Sequence, residues 1–536
     1  MLLCEASTKL GILILLTIFK RNDDIPGSDR RILLVCNHTS DFEAQEKLLD
    51  YARNTPSIAA QFSAIFSLNQ LIEPLHPSKW VAPSDRLQAM STASLLRNAL
   101  VSEGQEITHL LVGSIQAPPS KTLAGLFEAA SVYVYVDGLM TFSPTRSKLI
   151  NQIGSRIERL YFLDLLNGVD PALLREFSTA RYPISPKSLK NVIADFSADH
   201  IEGIPKNLEG SPVFLGQYLS SLGLYSQEEE IDLYVRGLVN CAAMAGNKTV
   251  FFKPHPRFSD GLLNLLMSSP LLKNYDVRVL DSNLVMEEYL VHVRPAFICA
   301  VFSTGLGTAN SIYGIPVFGF KTHDFLKRLS PYENSNRVPA AIVYHAYPDI
   351  EAPETFVKPS TEELQLKVDL LAAAMQPSMQ IKTERQRGRL LQLSQILKDF
   401  VSSEANGRVA AFKVPKLLSF ETLALSGAKP EINATSSKAP KKSPLAKARK
   451  LMEEENFEDA FVVSLKALQK TPDSTQHMRI VTQIAAMKGG LWERRAAEVR
   501  ESHKAALKEK NRRKGTLKNK TISRGKNFVK RLLKSN

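Results

Sequence analysis

The chain has 536 residues, of which 44% are hydrophobic, 23% charged and 8% aromatic. These fractions are typical of a globular protein. Single hydrophobic cores stop growing at roughly 250–300 residues, so we expect two large lobes and additional segments.

The formal net charge of +14 is concentrated at the C-terminus. Between Ser502 and Asn536 there are thirteen Lys or Arg residues and one acidic residue, a balance of +12 that leaves +2 for the rest. Because the charge lies in the tail, a partner that binds through charge is expected there. The segment from Thr521 onwards has the pattern of a basic amphipathic helix. Such a helix can lie on an anionic membrane surface, and the alternative is a solvated tail without a partner. No aromatic residues alternate with the basic ones, so nucleic acid is not an expected partner.

The N-terminus predicts a buried strand over Met1–Glu5 and then a buried helix. The apolar run Gly11–Phe19 is too short to span a membrane, which takes about 20 residues. The four cysteines, Cys4, Cys36, Cys241 and Cys299, are far apart in apolar runs without metal-ligand spacing. They are interpreted as reduced core thiols, and a cytoplasmic location is expected, with possible attachment at the inner membrane face.

Short apolar runs alternate with helix-compatible segments through the first 400 residues. Such continuous runs predict strands buried on both faces of parallel sheets, and hence an α/β fold. The first lobe has predicted strands at Leu2–Glu5, Arg31–Asn37, His109–Gly113 and Ser131–Val136. The second has Pro212–Leu215, Val250–Lys253, Val277–Leu280, Ala296–Val301 and Ile315–Phe320.

Polar, Gly-containing and Pro-containing stretches predict the domain boundaries. The predicted divisions are a first lobe at 1–205, a second lobe at 206–402, a linker at 427–442, a helical extension at 443–501 and a basic tail at 502–536.

Three loops at predicted strand ends carry polar residues that suit one reaction. The first loop contains Asp137-Gly138, the second runs from Lys253 to Arg257 and includes His255-Pro256, and the third is Ser303-Thr304-Gly305. Each is weak evidence alone, since such residues are common in turns and helix caps. Together they suit glycosyl transfer from a nucleotide monophosphate sugar.

In such a transfer, a carboxylate can remove the proton of the attacking hydroxyl, and Asp137 is the candidate. The departing nucleotide carries negative charge that must be stabilised. The candidates for this role are His255, Lys253 or Arg257, the hydroxyls of Ser303 and Thr304, and backbone N–H groups at Gly305.

The three motifs, in this order, resemble those of the bacterial sialyltransferases and polysialyltransferases. The segments LLCEASTKLGI and FLGQYLSSLGLYS also resemble that family, and the likeness extends over roughly residues 1–400. Position 136 departs from the pattern, because Val136 stands where the family usually has a second acid.

The resemblance implies a GT-B fold with two Rossmann-like lobes and a central cleft. It implies inverting transfer of sialic acid from CMP-sialic acid to a glycan or glycolipid, without a divalent metal or other cofactor. Asp137 would be the base, His255 and the Ser303/Thr304 pair would contact the donor phosphate, and Glu287 or Glu288 would bind the donor ribose.

Two other functions are open at this stage. The first is a transferase that uses another cytidine-activated donor, such as CDP-glycerol. The second is a catalytically inactive nucleotide- or sugar-binding protein, which is suggested by Val136 and the appended helices.

Overall fold

The computed structural model describes residues 1–376 except 22–24, 26–29, 39–41, 147–148, 178, 198–203 and 283, together with residues 464, 481 and 482. Both sheets described below belong to one compact unit, Met1–Ala428. The predicted linker, helical extension and basic tail lie outside the described residues, apart from residues 464, 481 and 482.

The first sheet has seven parallel strands in the order β3-β2-β1-β4-β5-β6-β7. The strands are β1 Leu2–Ala6, β2 Arg31–Val35, β3 Ala64–Ser67, β4 His109–Gly113, β5 Ser131–Val136, β6 Ile157–Leu163 and β7 Ala180–Ile184. The helices between and after these strands are α1 Lys9–Lys20, α2 Phe42–Asn54, α3 Pro56–Ala59, α4 Leu68–Leu71, α5 Arg86–Leu100, α6 Ser120–Leu126, α7 Asn151–Gly154 and α8 Pro186–Ser197.

The second sheet has five parallel strands in the order β10-β9-β8-β11-β12. The strands are β8 Val213–Leu215, β9 Thr249–Lys253, β10 Asp276–Val279, β11 Ile298–Ala300 and β12 Val317–Gly319. The helices of this part are α9 Gln227–Ala245, α10 Asp260–Met267, α11 Met286–His292, α12 Thr304–Tyr313, α13 Thr322–Arg328, α14 Arg337–Ala346 and α15 Thr361–Met375.

The observed architecture confirms the predicted α/β fold with two Rossmann-like sheets. All nine predicted strands are present, whereas β3, β6 and β7 were not predicted. Strands β3 and β7 form the two edges of the first sheet and are only half-buried, so their sequences lack the continuous apolar run of an interior strand. The four cysteines are buried and free, as predicted.

In each sheet, the direction in which the chain adds successive strands reverses once. Strand order reverses between β1 and β4 in the first sheet, and between β8 and β11 in the second. In open parallel sheets, ligands bind beyond the carboxyl ends of the strands at such reversals. The loops after these strands are therefore the places at which the fold favours a site.

Two helices connect the two parts of the unit. Helix α8, which follows the first sheet, packs against α11 and α12. Helix α15, which follows the second sheet, returns to the loop after β6, where Arg175 Nη1 lies 2.7 Å from Asp369 Oδ1. Among the helices of the described residues, none has the length and apolarity that a membrane span requires.

Candidate active site

Asp137 directly follows β5, and its side chain contacts Thr8 at the N-terminus of helix α1. Thr8 is the N-cap of α1, where its Oγ1 accepts a hydrogen bond from the Gly11 amide at 2.9 Å. The same hydroxyl donates to Asp137 Oδ2 at 3.2 Å. Burial raises the pKa of Asp137, and the bond from Thr8 opposes that rise. A carboxylate that is poorly solvated and held on one oxygen is suited to accept a proton on the other.

Val136 does not share the surroundings of Asp137. Its side chain is buried in the hydrophobic cluster that contains Ile115 and Leu149. Tyr135 belongs to the other cluster, because successive side chains of a strand point to opposite faces. An acidic residue at position 136 would therefore lie in an apolar cluster, away from Asp137.

A second carboxyl group lies near Asp137 and was not identified from the sequence. Glu5, at the end of β1, is 1% exposed. Its Oε2 accepts hydrogen bonds from the Gly113 amide and the Ser120 hydroxyl, both at 3.0 Å. Because Gly113 ends β4, this carboxylate bridges the two strands at the reversal point of the first sheet. The sequence signal was the isolated acid within an otherwise apolar strand.

His255 lies after β9 in a loop whose backbone is restricted by Pro254 and Pro256. Its Nδ1 accepts a hydrogen bond from the Arg257 amide at 3.0 Å, so the neutral ring carries its proton on Nε2. Burial, together with the charges of Arg257 and Lys253, lowers its pKa to about 4. Near neutral pH, His255 is therefore a neutral donor that can bind a phosphate oxygen through Nε2.

The His255 ring rests on Tyr218, whose loop was only partly recognised from the sequence. The two ring centroids lie 4.4 Å apart, and the Arg257 guanidinium lies 5.4 Å from the Tyr218 ring. Below this loop, the fully buried Glu230 accepts hydrogen bonds from the Leu219 and Ser220 amides, both at 2.8 Å. Helix α9 thus fixes the loop that supports His255.

Lys253 and the two glutamates of α11 are buried and interact through their charges. Lys253 is 7% exposed, and burial lowers its pKa to about 8 although Asp281, Glu287 and Glu288 act in the opposite direction. Thr308 donates to Glu287 Oε1, and burial raises the pKa of Glu287. One oxygen of Glu288 accepts from the Val285 amide at 2.7 Å, whereas Oε1 has no hydrogen-bond partner among the described residues. Glu288 is therefore the glutamate with an unused acceptor.

The third motif begins helix α12 at the reversal point of the second sheet. Ser303 is the N-cap, and its Oγ accepts from the Gly305 amide at 3.1 Å. Gly305 packs tightly, since a Cβ there would lie 2.8 Å from Leu215 Cδ1. Gln217, which follows β8, donates through Nε2 to the Phe302 carbonyl and so joins the ends of β8 and β11.

The first and third motifs, which come from different sheets, are in contact. Thr304 Oγ1 accepts a hydrogen bond from the Leu139 amide at 3.3 Å. A Cβ at Gly138 would lie 2.3 Å from that same oxygen, so the two loops can approach this closely only because residue 138 is glycine. Asp137 is thereby placed beside the beginning of α12.

The second motif contains a group of side chains that interact through their charges. The charges of Arg257 and Lys253 lower the pKa of His255. The pKa of Lys253 is in turn raised by Glu287 and Glu288 and lowered by Lys9 of the first lobe. Within the part of the chain that the structure describes, no three His, Cys, Asp or Glu residues form a group that could hold a metal ion.

The sequence matches the family model described as alpha-2,8-polysialyltransferase (POLYST) over residues 7–321, more than half of the chain. The chain belongs to this family. It is therefore a glycosyltransferase, and the family supports sialyl transfer between a nucleotide-sugar donor and a glycan acceptor. The matched range contains the three motifs and begins just after Glu5. A comparison with curated proteins finds no match.

Several solved structures are similar at low identity. A sialyltransferase from Photobacterium damselae is 13% identical, covering 64% of this chain and 96% of that one, with a TM-score of 0.35. UGT2 of Phytolacca americana is 13% identical, with coverages of 74% and 98% and a TM-score of 0.33. UDP-GlcNAc 2-epimerase from Methanocaldococcus jannaschii is 10% identical, with coverages of 68% and 90% and a TM-score of 0.33. We draw no functional conclusion from likenesses at these scores.

Proposed function

We propose that the enzyme transfers sialic acid from CMP-sialic acid to a glycan or glycolipid acceptor, with inversion at the anomeric carbon. The observation that carries this proposal is the contact between the Asp137-Gly138 loop and Thr304. In this arrangement Asp137, which we propose as the general base, comes from one sheet, and the N-terminus of α12 with its hydroxyls comes from the other. A single-displacement transfer needs both, one at the acceptor and one at the leaving group.

In the proposed reaction, Asp137 Oδ1 takes the proton of the acceptor hydroxyl while Thr8 holds Oδ2. The acceptor oxygen bonds to the anomeric carbon from the face opposite the donor phosphate. The bond from that carbon to the phosphate oxygen breaks, and CMP leaves with the electron pair.

The leaving phosphate needs hydrogen-bond donors and positive charge. The Gly305 amide, which the sequence suggested as a donor, is already bonded to Ser303 Oγ. We assign donation to His255 Nε2 and to the Ser303 and Thr304 hydroxyls, and positive charge to Lys253 and Arg257. Such donors, fixed before the reaction, stabilise charge that develops in the transition state. Since these residues supply the stabilisation, the proposal requires no divalent metal. Glu288, through its unused Oε1, is the better placed of the two glutamates to accept from the donor ribose.

The test measures CMP release from CMP-sialic acid in EDTA for the wild type, Asp137→Asn and His255→Ala. We expect turnover to survive EDTA, Asp137→Asn to lower kcat by about 10²–10⁴-fold, and His255→Ala to lower it by at least about tenfold. Asp324→Asn and His292→Ala, both exposed, are the matched controls and should retain activity.

Other outcomes would favour the alternative functions. Release of CMP from CDP-glycerol but not from CMP-sialic acid would replace the donor. Binding of CMP without turnover with any acceptor would favour a binding protein, and full activity of Asp137→Asn would refute the assignment of the base.

We further propose peripheral attachment to the inner membrane face through the basic tail, 502–536, which lies outside the described residues. The support is its charge balance of +12, since each basic residue near an anionic surface contributes about 1 kcal/mol. Sedimentation with anionic vesicles should fall when residues 502–536 are deleted; equal sedimentation of both proteins would refute this.

A further inference from the structure

Glu5 is a buried titratable group that the proposed reaction does not use. It lies at the reversal point of the first sheet, where a ligand is expected, rather than in the interior of the sheet. A buried carboxyl group is costly unless it is protonated or well satisfied. Its presence beside the candidate base therefore requires an explanation.

The contacts of Glu5 connect it to the elements that hold Asp137. Its backbone carbonyl accepts a hydrogen bond at 3.0 Å from the hydroxyl of Tyr135, the residue two positions before Asp137. A Cβ at Gly11 would lie 2.9 Å from the Tyr135 hydroxyl and 3.0 Å from Thr8 Oγ1, which itself donates to Asp137. The Tyr135 hydroxyl also lies near the Glu5 carboxylate, because a Cβ at Gly113 would be 3.3 Å from that hydroxyl and 3.5 Å from Glu5 Oε2. The Tyr135 hydroxyl and Thr8 therefore link the surroundings of the two carboxyl groups.

The charged and titratable groups around Glu5 come from the ends of two strands. They are Asp137 and Tyr135 from β5, and Cys36 after β2; β4 and α6 contribute the uncharged Gly113 amide and Ser120 hydroxyl. Burial raises the pKa of Tyr135 and of Cys36 well above their ordinary values, so both are neutral near pH 7. Among the described residues, no cation contributes to the pKa of Glu5.

Burial raises the pKa of Glu5 to about 7, with a further contribution from the charge of Asp137, while the bonds from Gly113 and Ser120 oppose the rise. Glu5 therefore changes its charge in the range in which the enzyme is expected to work. Two carboxylates that share one site repel each other, and each makes the other hold a proton more strongly.

On the basis of the proposed function, we propose that Glu5 is a positioning residue for Asp137: its ionised carboxylate strengthens Asp137 as a base, and its protonation weakens it. Glu5 does not contact the substrate and transfers no proton. It acts through the charge it presents to Asp137, while Thr8 fixes the orientation of the Asp137 carboxylate.

The sign of the effect on the rate follows from the charges. Above about pH 7, Glu5 is ionised and Asp137 accepts the acceptor proton more readily. Below that pH, Glu5 is neutral, and kcat/KM falls to a lower plateau rather than to zero, because Asp137 is still a base. A like charge close to a carboxylate makes it a stronger base, so we expect kcat/KM on the two plateaus to differ by about three- to tenfold.

The experiment measures kcat/KM for CMP-sialic acid from pH 5.5 to 9 in the full-length wild type, Glu5→Gln and Ser120→Ala. Glu5→Gln has nearly the same shape and no titrating group, so the step near pH 7 should disappear and the rate at pH 8 should be about three- to tenfold lower. Ser120→Ala removes a donor to the ionised form, so the step should move to higher pH. A merely structural role would change the rate equally at every pH.

Asp137→Asn in the same series separates failure of this inference from failure of the proposed function. Full activity of Asp137→Asn refutes Asp137 as the base. If Asp137→Asn is inactive but Glu5→Gln keeps the step near pH 7, the base stands and the role of Glu5 is refuted. If Glu5→Gln does not fold, Ser120→Ala decides, and a step that does not move overturns the proposal.

Discussion

The substitution Gly138→Ala tests whether the contact between the two sheets matters for activity. The backbone at Gly138 is extended, with φ −174°, a conformation that any residue adopts. The obstacle is space, because the new Cβ would lie 2.3 Å from Oγ1, 2.7 Å from Cγ2 and 3.0 Å from Cβ of Thr304. The Asp137 loop and the beginning of α12 would have to move apart to admit one methyl group.

Forcing an extra methyl group into a packed site typically costs about 1–3 kcal/mol. We expect the free energy of unfolding of Gly138→Ala to fall by that amount. Because the displacement separates Asp137 from the Ser303/Thr304 pair, we also expect kcat/KM to fall by about 10- to 100-fold, since each 1.4 kcal/mol corresponds to about tenfold.

Urea unfolding and CMP release measure the two effects. Gly261→Ala is the matched control, because a Cβ there meets no atom within 4 Å and the residue lies in α10, where alanine is favoured by up to about 1 kcal/mol. In a Thr304→Ala background, which lacks Oγ1 and Cγ2, the cost of Gly138→Ala should be smaller than in the wild type. An equal cost in both backgrounds, or a Gly138→Ala enzyme as stable and active as the wild type, would refute the reasoning.

Two buried carboxylates give further predictions. Glu230→Gln replaces one of the two carboxylate oxygens with an N–H₂ group, so either the Ser220 amide, which donates to Oε2, or the Leu219 amide, which donates to Oε1, loses its acceptor. The free energy of unfolding should therefore fall by about 1–3 kcal/mol in urea unfolding. Asp232→Asn, on the exposed face of the same helix, should leave stability nearly unchanged; equal losses would contradict the prediction. The pKa of Glu5 is raised in the folded state from 4.5 to about 7, so the folded state binds the extra proton and stability should fall as pH rises from about 4.5 to 7. Glu5→Gln should remove up to about 3 kcal/mol of this loss, measured as the difference between its unfolding free energies at pH 4.5 and pH 8, and an unchanged pH slope would contradict this.

The three motifs could be identified from the sequence because each follows a buried strand directly. A strand that is buried on both faces is a continuous apolar run, and the residues after it lie at the edge of the sheet where ligands bind. Asp137, Lys253 and Ser303 were proposed as site residues on this basis. The same signal is weak at the half-buried edge strands β3 and β7, which were missed.

The residues that support the site could not be predicted, because they contact it from distant parts of the chain. Glu5 lies 132 positions before Asp137, and the loop that carries Tyr218 is held from below by Glu230 on another element. Which strand ends are neighbours depends on the order of strands in the sheet, and a local pattern does not encode that order.

The sequence by itself determined the fold class, the order of the motifs and the family, since these depend on residue types and their local spacing. The tertiary structure decided that Gly138 meets Thr304 across the two sheets, that Val136 faces away from Asp137, and that Glu5 lies beside it. These are matters of direction and distance. They depend on how whole sheets pack against each other, which residue types and local spacing do not encode.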